Sequence, residues 1–240
     1  MRTSNKIILG IFLGPLIILI SLQLALYAKY KSGHYVILKS VQEDRFLRPV
    51  LKNISTVTVY GLNNFHVHPA DTLRLEIEKD KKSHLHYTVN GNALIIHGDS
   101  VVRRPGNDDD VLRSYQDVNL YLPAGGVVTA DNSEVILHGS KDSVKAGSYQ
   151  FSLVNAASLK VDQNGDDAAP IYFKGLAIQA SHAAGIQLMH YARVFDLKLN
   201  LIQSAFSDEG AFIDKLVVDT DTLSNISLKG DNLRKIIAAH

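Results

Sequence analysis

Residues 185–230 read GIQLMHYARVFDLKLNLIQSAFSDEGAFIDKLVVDTDTLSNISLKG, and the small-then-apolar steps inside them decide the fold. Ile186, Phe206 and Ile226 stand 20 and 20 residues apart, and the alignment extends back through Leu159 to Val135 at spacings of 27 and 24. Two positions beyond these anchors stand Leu137, Val161, Leu188, Asp208 and Leu228; eight before them stand Val127, Phe151, Ile178, Lys198 and Val218. Four beyond stand Gly139, Gln163, His190, Gly210 and Gly230. A fixed period of short alternating strands, broken by glycine or polar corners, is what a coiled β-solenoid requires, because each turn presents inward side chains to its neighbours. Glycine fits corners where a Cβ would clash. An antiparallel β-sandwich also gives short strands with turn signals, but it imposes no period. The expected fold is therefore all-β, a parallel β-helix/β-solenoid.

Upstream, from about residue 50, the pattern alternates with period two. Val57 and Val59 oppose Thr56 and Thr58, and Phe65 and Val67 oppose His66 and His68. Further strands are predicted at 73–78, 85–89, 93–97 and 118–122, with Asn90-Gly91 supplying a turn between two of them. Whether residues 50–125 form rungs or a separate sheet stays open at this level.

Residues 7–28, IILGIFLGPLIILISLQLALYA, carry no charge and match the roughly 20 apolar residues of a membrane-crossing helix. Arg2 and Lys6 precede the run, and Lys29 and Lys31 follow it. A cleaved signal peptide would call for a shorter apolar run and small residues at the cut, whereas Leu26 stands two before Ala28 and a lysine follows. The expectation is an N-terminal transmembrane α-helix over residues 1–30, a juxtamembrane linker over 31–49 and one β-solenoid domain over 50–240. Charge on the two flanks nearly matches and leaves orientation undecided.

The composition narrows function without naming it. Twenty-five basic and 24 acidic residues give a net charge of +1, so no dominant basic surface draws in DNA or RNA. The absence of cysteine removes disulfides, thiolate metal sites and thiol nucleophiles.

Three strings, LKNISTVTVYGLNNFHVHPADTLRLEIEKD (51–80), YTVNGNALIIHGD (87–99) and YQDVNLYLPAGGVVTADNSEVILHG (115–139), carry a family resemblance. Together they resemble the bacterial cell-envelope family described as "putative auto-transporter adhesin, head GIN domain", over roughly residues 50 to 235. The resemblance implies a β-helical domain on the outer side of a bacterial inner membrane, held by a single pass with its C-terminal domain periplasmic, and no catalytic signature.

Candidate chemistry is sparse. His66 and His68 share a strand face, as do His84 and His86, and pairing the two strands would offer four imidazoles to zinc, copper or nickel. The plainer reading makes them the solvent side of strands whose inward side is Phe65, Val67, Leu85 and Tyr87. Asn107-Asp108-Asp109-Asp110 and Asn164-Gly165-Asp166-Asp167 offer oxygens but lack the spacing of a calcium loop. Asp219 and Asp221, on one strand face, are the best carboxylate pair for a polysaccharide-active β-helix enzyme. Neither a phosphate loop nor a metalloprotease motif is present. The sequence thus favours a non-enzymatic binding or adhesion-type module with no cofactor. Its partners would be the membrane through residues 7–28 and a polysaccharide or envelope protein, with no nucleic acid. A self-stacking scaffold is the structural alternative.

Overall fold

The computed structural model describes residues 3–32, 45–51, 53–79, 85–98, 117–161 and 169–238. The chain divides into two units, Met1–Arg45 and Phe46–His240.

In the first unit, helix α1 (Thr3–Lys31) runs through Pro15 and ends on Lys29 and Lys31, whose charges suit the negative end of the helix dipole. Ser32 closes it, its N–H donating to the Ala28 carbonyl at 2.9 Å and its hydroxyl to that of Lys29 at 3.0 Å. Leu16, Ile17, Leu22 and Leu24 are exposed. Among the described residues no helix is long and apolar enough to cross a membrane. This finding corrects the expected transmembrane anchor, and with it the single-pass inner-membrane placement and periplasmic domain.

The second unit opens with β1 (Phe46–Leu47), β2 (Thr56–Tyr60), β3 (Phe65–Pro69), β4 (Arg74–Glu78), β5 (Leu85–Asn90), β6 (Ala93–Gly98) and β7 (Val118–Leu122). It continues with β8 (Val127–Asp131), β9 (Glu134–Leu137), β10 (Ser148–Val154), β11 (Ser158–Val161), β12 (Ile171–Ser181) and β13 (Gly185–Met189). The last elements are β14 (Ala192–Ile202), β15 (Ala205–Glu209), β16 (Phe212–Thr220), β17 (Asn225–Ser227), the 3-10 helix η1 (Gly230–Lys235) and β18 (Ile236–Ala238). These strands form two nine-stranded sheets, ordered β1-β4-β7-β3-β9-β11-β13-β15-β17 and β18-β16-β14-β12-β10-β8-β2-β6-β5.

Both sheets are mixed, which corrects the expected parallel β-helix/β-solenoid over 50–240. Strand β4 runs antiparallel to β1 and β7, and β5 runs antiparallel to β6. Strands β2 and β3 lie between later neighbours, so the order does not follow the sequence, and among the described residues no closed sheet or continuous solenoid results. The antiparallel β5–β6 pair is made by the Asn90-Gly91 turn, with Gly91 at a φ of 61° that an L side chain rarely adopts.

From β8 onward, pairing within each sheet is parallel, and the anchor register holds residue for residue. Val135, Leu159, Ile186, Phe206 and Ile226 are successive partners, and so are Leu137, Val161, Leu188 and Asp208. The upstream column differs from expectation: Val128, Phe151, Ile178, Leu199 and Val218 pair, not Val127 and Lys198. The corners explain this. Asn132 and Gln203 each turn the chain with one left-handed residue, whereas Asn155-Ala156 and His182-Ala183 use two, which shifts the alignment by one position. Left-handed conformation is costly away from glycine. Here it is held by backbone bonds between corners, His182 N–H to Ile202 O at 3.2 Å and Ala183 N–H to Gln203 O at 2.8 Å.

The inward columns form one core. Alternate burial along the strands, as in Tyr149, Phe151 and Leu153 of β10, is what a sheet with one face on a core requires. The glycine expected at a corner, Gly139, sits where an added Cβ would come within 2.8 Å of Ile171 Cβ and 2.9 Å of Phe173 Cζ.

Candidate functional site

Because pairing from β2 through β16 in the second sheet is in register, outward side chains line up across strands. Thr58, Thr129, Ser152, Gln179, Asn200 and Asp219 are successive partners in six adjacent strands. All are exposed or half-buried. At a strand spacing of about 4.8 Å the row is roughly 24 Å long, and each step offers a hydroxyl, an amide or a carboxylate. On the same face a cavity of about 190 Å³ is lined by Ser148, Gln150, Gly175, Asp196 and Lys198. Asp196 Oδ1 is buried there with no hydrogen-bond partner among the described residues, an acceptor that a bound hydroxyl would satisfy.

Asp219 belongs to this row, paired in register with Asn200. Asp221 does different work. Its carboxylate accepts from the Gln203 N–H at 3.1 Å, the Leu223 N–H at 3.3 Å and the Ser224 hydroxyl at 2.6 Å. It thereby stands where another corner's carbonyl would otherwise continue the ladder. The Ser224 hydroxyl above all, and then these backbone donors, hold the Asp221 carboxyl below the ordinary aspartate range.

The histidines expected together are separated. His66 and His68 lie on β3 in the first sheet, while His86 lies exposed on β5 in the second, opposite His97. His84 falls outside the described residues, as do 107–110 and 164–167. The expected inward side holds for Phe65 and Val67, both fully buried, whereas Tyr87 is exposed.

His66 and His68 are joined by a third ring, His138, which follows β9. The His138 N–H donates to the Val67 carbonyl at 2.8 Å, which sets it beside β3. His66 Nδ1 and His138 Nε2 lie 2.9 Å apart, and the His68 and His138 rings stack with centroids 4.2 Å apart and planes 3° apart. His68 Nε2 donates to Asn119 Oδ1 at 3.1 Å. Burial holds the His68 ring below the ordinary histidine value, against the opposing pull of its bond to Asn119. Sequence reasoning missed His138, yet a signal was present: aligning FHVHP on EVILHG pairs Phe65 with Val135 and Val67 with Leu137, which places His68 level with His138.

No family model matches the sequence, and no curated protein matches it. Solved structures do. One, from Parabacteroides distasonis ATCC 8503 and described as a "putative adhesin", is 9% identical, with a TM-score of 0.49 over 80% of this chain and 74% of its own. Another from the same organism, described as a "Putative lipid binding protein", is 12% identical, with a TM-score of 0.29 over 81% of this chain and 96% of its own. The functional reading rests on the chain's own geometry.

Proposed function

We propose that this chain is a non-enzymatic binding module whose second sheet presents the row Thr58, Thr129, Ser152, Gln179, Asn200 and Asp219 to an extended, hydroxyl-rich polymer of the polysaccharide class. The in-register row carries the reading. Hydrogen-bonding groups repeat at the strand spacing, on backbone already fixed by pairing on both sides, so little conformational freedom remains to be lost on binding. The partnerless Asp196 oxygen and the Lys198 ammonium extend the same face with an acceptor and a donor. Against a catalytic use of Asp219 and Asp221 stands the engagement of Asp221 by Ser224 in its own corner and Gln203 in the adjoining one. Against self-stacking through the C-terminal edges stand the three-residue strands β17 and β18 that close one end of each sheet, since short edges blunt edge-to-edge pairing.

The test is a glycan panel followed by calorimetry on the full chain. Gln179→Ala and Asn200→Ala are expected to weaken binding by about tenfold each, the size of one lost hydrogen bond in a desolvated contact. Substitution of exposed Lys141, off the row, is expected to leave binding unchanged. No glycan binding, or binding indifferent to the row, overturns the reading. New reducing ends that vanish in the Asp219→Asn, Asp221→Asn double variant would replace it with glycan cleavage.

A further inference from the structure

We infer that His66, His68 and His138 form a three-histidine site for a borderline first-row divalent cation of the zinc, copper or nickel type. The inference is independent of the polymer-binding reading, since the cluster lies in the other sheet. One ring nitrogen from each residue lies within 4.8 Å of the other two. Two of them, His66 Nδ1 and His138 Nε2, are already 2.9 Å apart, close to the roughly 3.3 Å that separates two nitrogens on one tetrahedral ion with bonds of about 2.0–2.1 Å. A 2.9 Å contact between two imidazole nitrogens needs a proton on one of them. When the ion takes that position, the proton moves to the far nitrogen of the same ring, and the neutral charge of both rings is kept.

The third ligand is oriented from behind. With Nε2–H of His68 committed to Asn119 Oδ1, the lone pair of the neutral ring resides on Nδ1, and a bond of this kind is what fixes the tautomer in histidine metal sites. Bringing His68 in requires a side-chain rotation that opens its stack on His138. The move is one of side chains, since β3 carries His66 and His68, and His138, just past the paired strand β9, is held to β3 by its bond to the Val67 carbonyl. His138 is only 8% exposed and forms the floor, while His66 and His68 are half-buried and leave outer coordination positions open. An all-nitrogen donor set suits zinc, copper and nickel, whereas calcium and magnesium demand oxygen ligands. The same rings also continue a stack in which the Arg74 guanidinium lies 3.9 Å from the Tyr121 ring centroid and Tyr121 lies against His68, so a packing role alone is the competing explanation.

Untagged full-length protein, titrated with zinc chloride in metal-free buffer by calorimetry and by thermal unfolding, separates the two. One ion per chain, a rise in Tm with zinc and none with magnesium are expected. His66→Gln and His138→Gln are each expected to weaken binding at least about 100-fold, and Asn119→Ala by about 10–100-fold. Because His138 is buried, the half-exposed His66→Gln decides, provided its circular dichroism matches the parent. Absence of binding in the parent, or zinc affinity unchanged in folded His66→Gln, overturns the site and leaves the rings as a packing stack.

Discussion

The side-chain amide of Asn232 meets the carboxylate of Asp208 at 2.6 Å, tying helix η1 to a fully buried acid in β15. Asp208 occupies the slot that Leu137, Val161 and Leu188 fill in preceding strands. Its other partners are the backbone N–H groups of Gly210 at 2.8 Å, Ala211 at 2.6 Å and Lys229 at 3.3 Å. The apolar column therefore ends in an acid whose oxygens organise the chain reversal after β15. Asp208→Ala strands several buried donors, and at about 1–3 kcal/mol for each unsatisfied group the expected loss is at least about 3 kcal/mol in urea unfolding. Asn232→Ala is expected to cost about 1–3 kcal/mol, and the double variant less than the sum.

Core truncation should discriminate along the columns. Leu188 is fully buried, and Leu188→Ala is expected to cost about 2–5 kcal/mol. Leu228 only packs against the core edge, so Leu228→Ala should cost clearly less by the same measurement.

Acid should destabilise the C-terminal strands. The Asp221 carboxyl is held low by the Ser224 hydroxyl and the backbone donors around it, and that of Glu209 by its hydrogen bond to Lys229, then Ser207. A carboxyl whose folded pKa lies below its unfolded one contributes stability that is present above the unfolded value, near pH 4, and is lost as pH falls through the folded value. Thermal midpoints measured from pH 6 to pH 2 should drop below pH 4, and Asp221→Asn should flatten that slope while lowering the plateau.

Gly139→Ala is expected to destabilise by about 1–3 kcal/mol, since the new methyl overlaps Ile171 and Phe173. Gly185→Ala meets nothing within 4 Å and should be tolerated. Equal denaturation midpoints for the two would refute the packing argument.

What the sequence disclosed follows from what repeats. Val135 through Ile226 were legible because each fills the same inward position of a parallel ladder. The neighbouring column slipped by one because corner length, one left-handed residue at Asn132 and two at Asn155-Ala156, leaves no mark on polarity. Alternation places Phe65 inward whichever strand adjoins it, so the insertion of β3 between β7 and β9 was invisible, and with it the meeting of His68 and His138. Asp219 was found for its charge; its place in a row of hydroxyls and amides needed the pairing partners.

The interior seats of β2 and β3 have a further bearing on how the molecule comes apart. These two strands are flanked on one side by β6 and β7 and on the other by β8 and β9, so they serve as a keystone. Shortening the protein from its far end would peel away peripheral strands one after another, whereas cutting out β2 and β3 would leave two groups of described strands sharing no hydrogen-bonded seam.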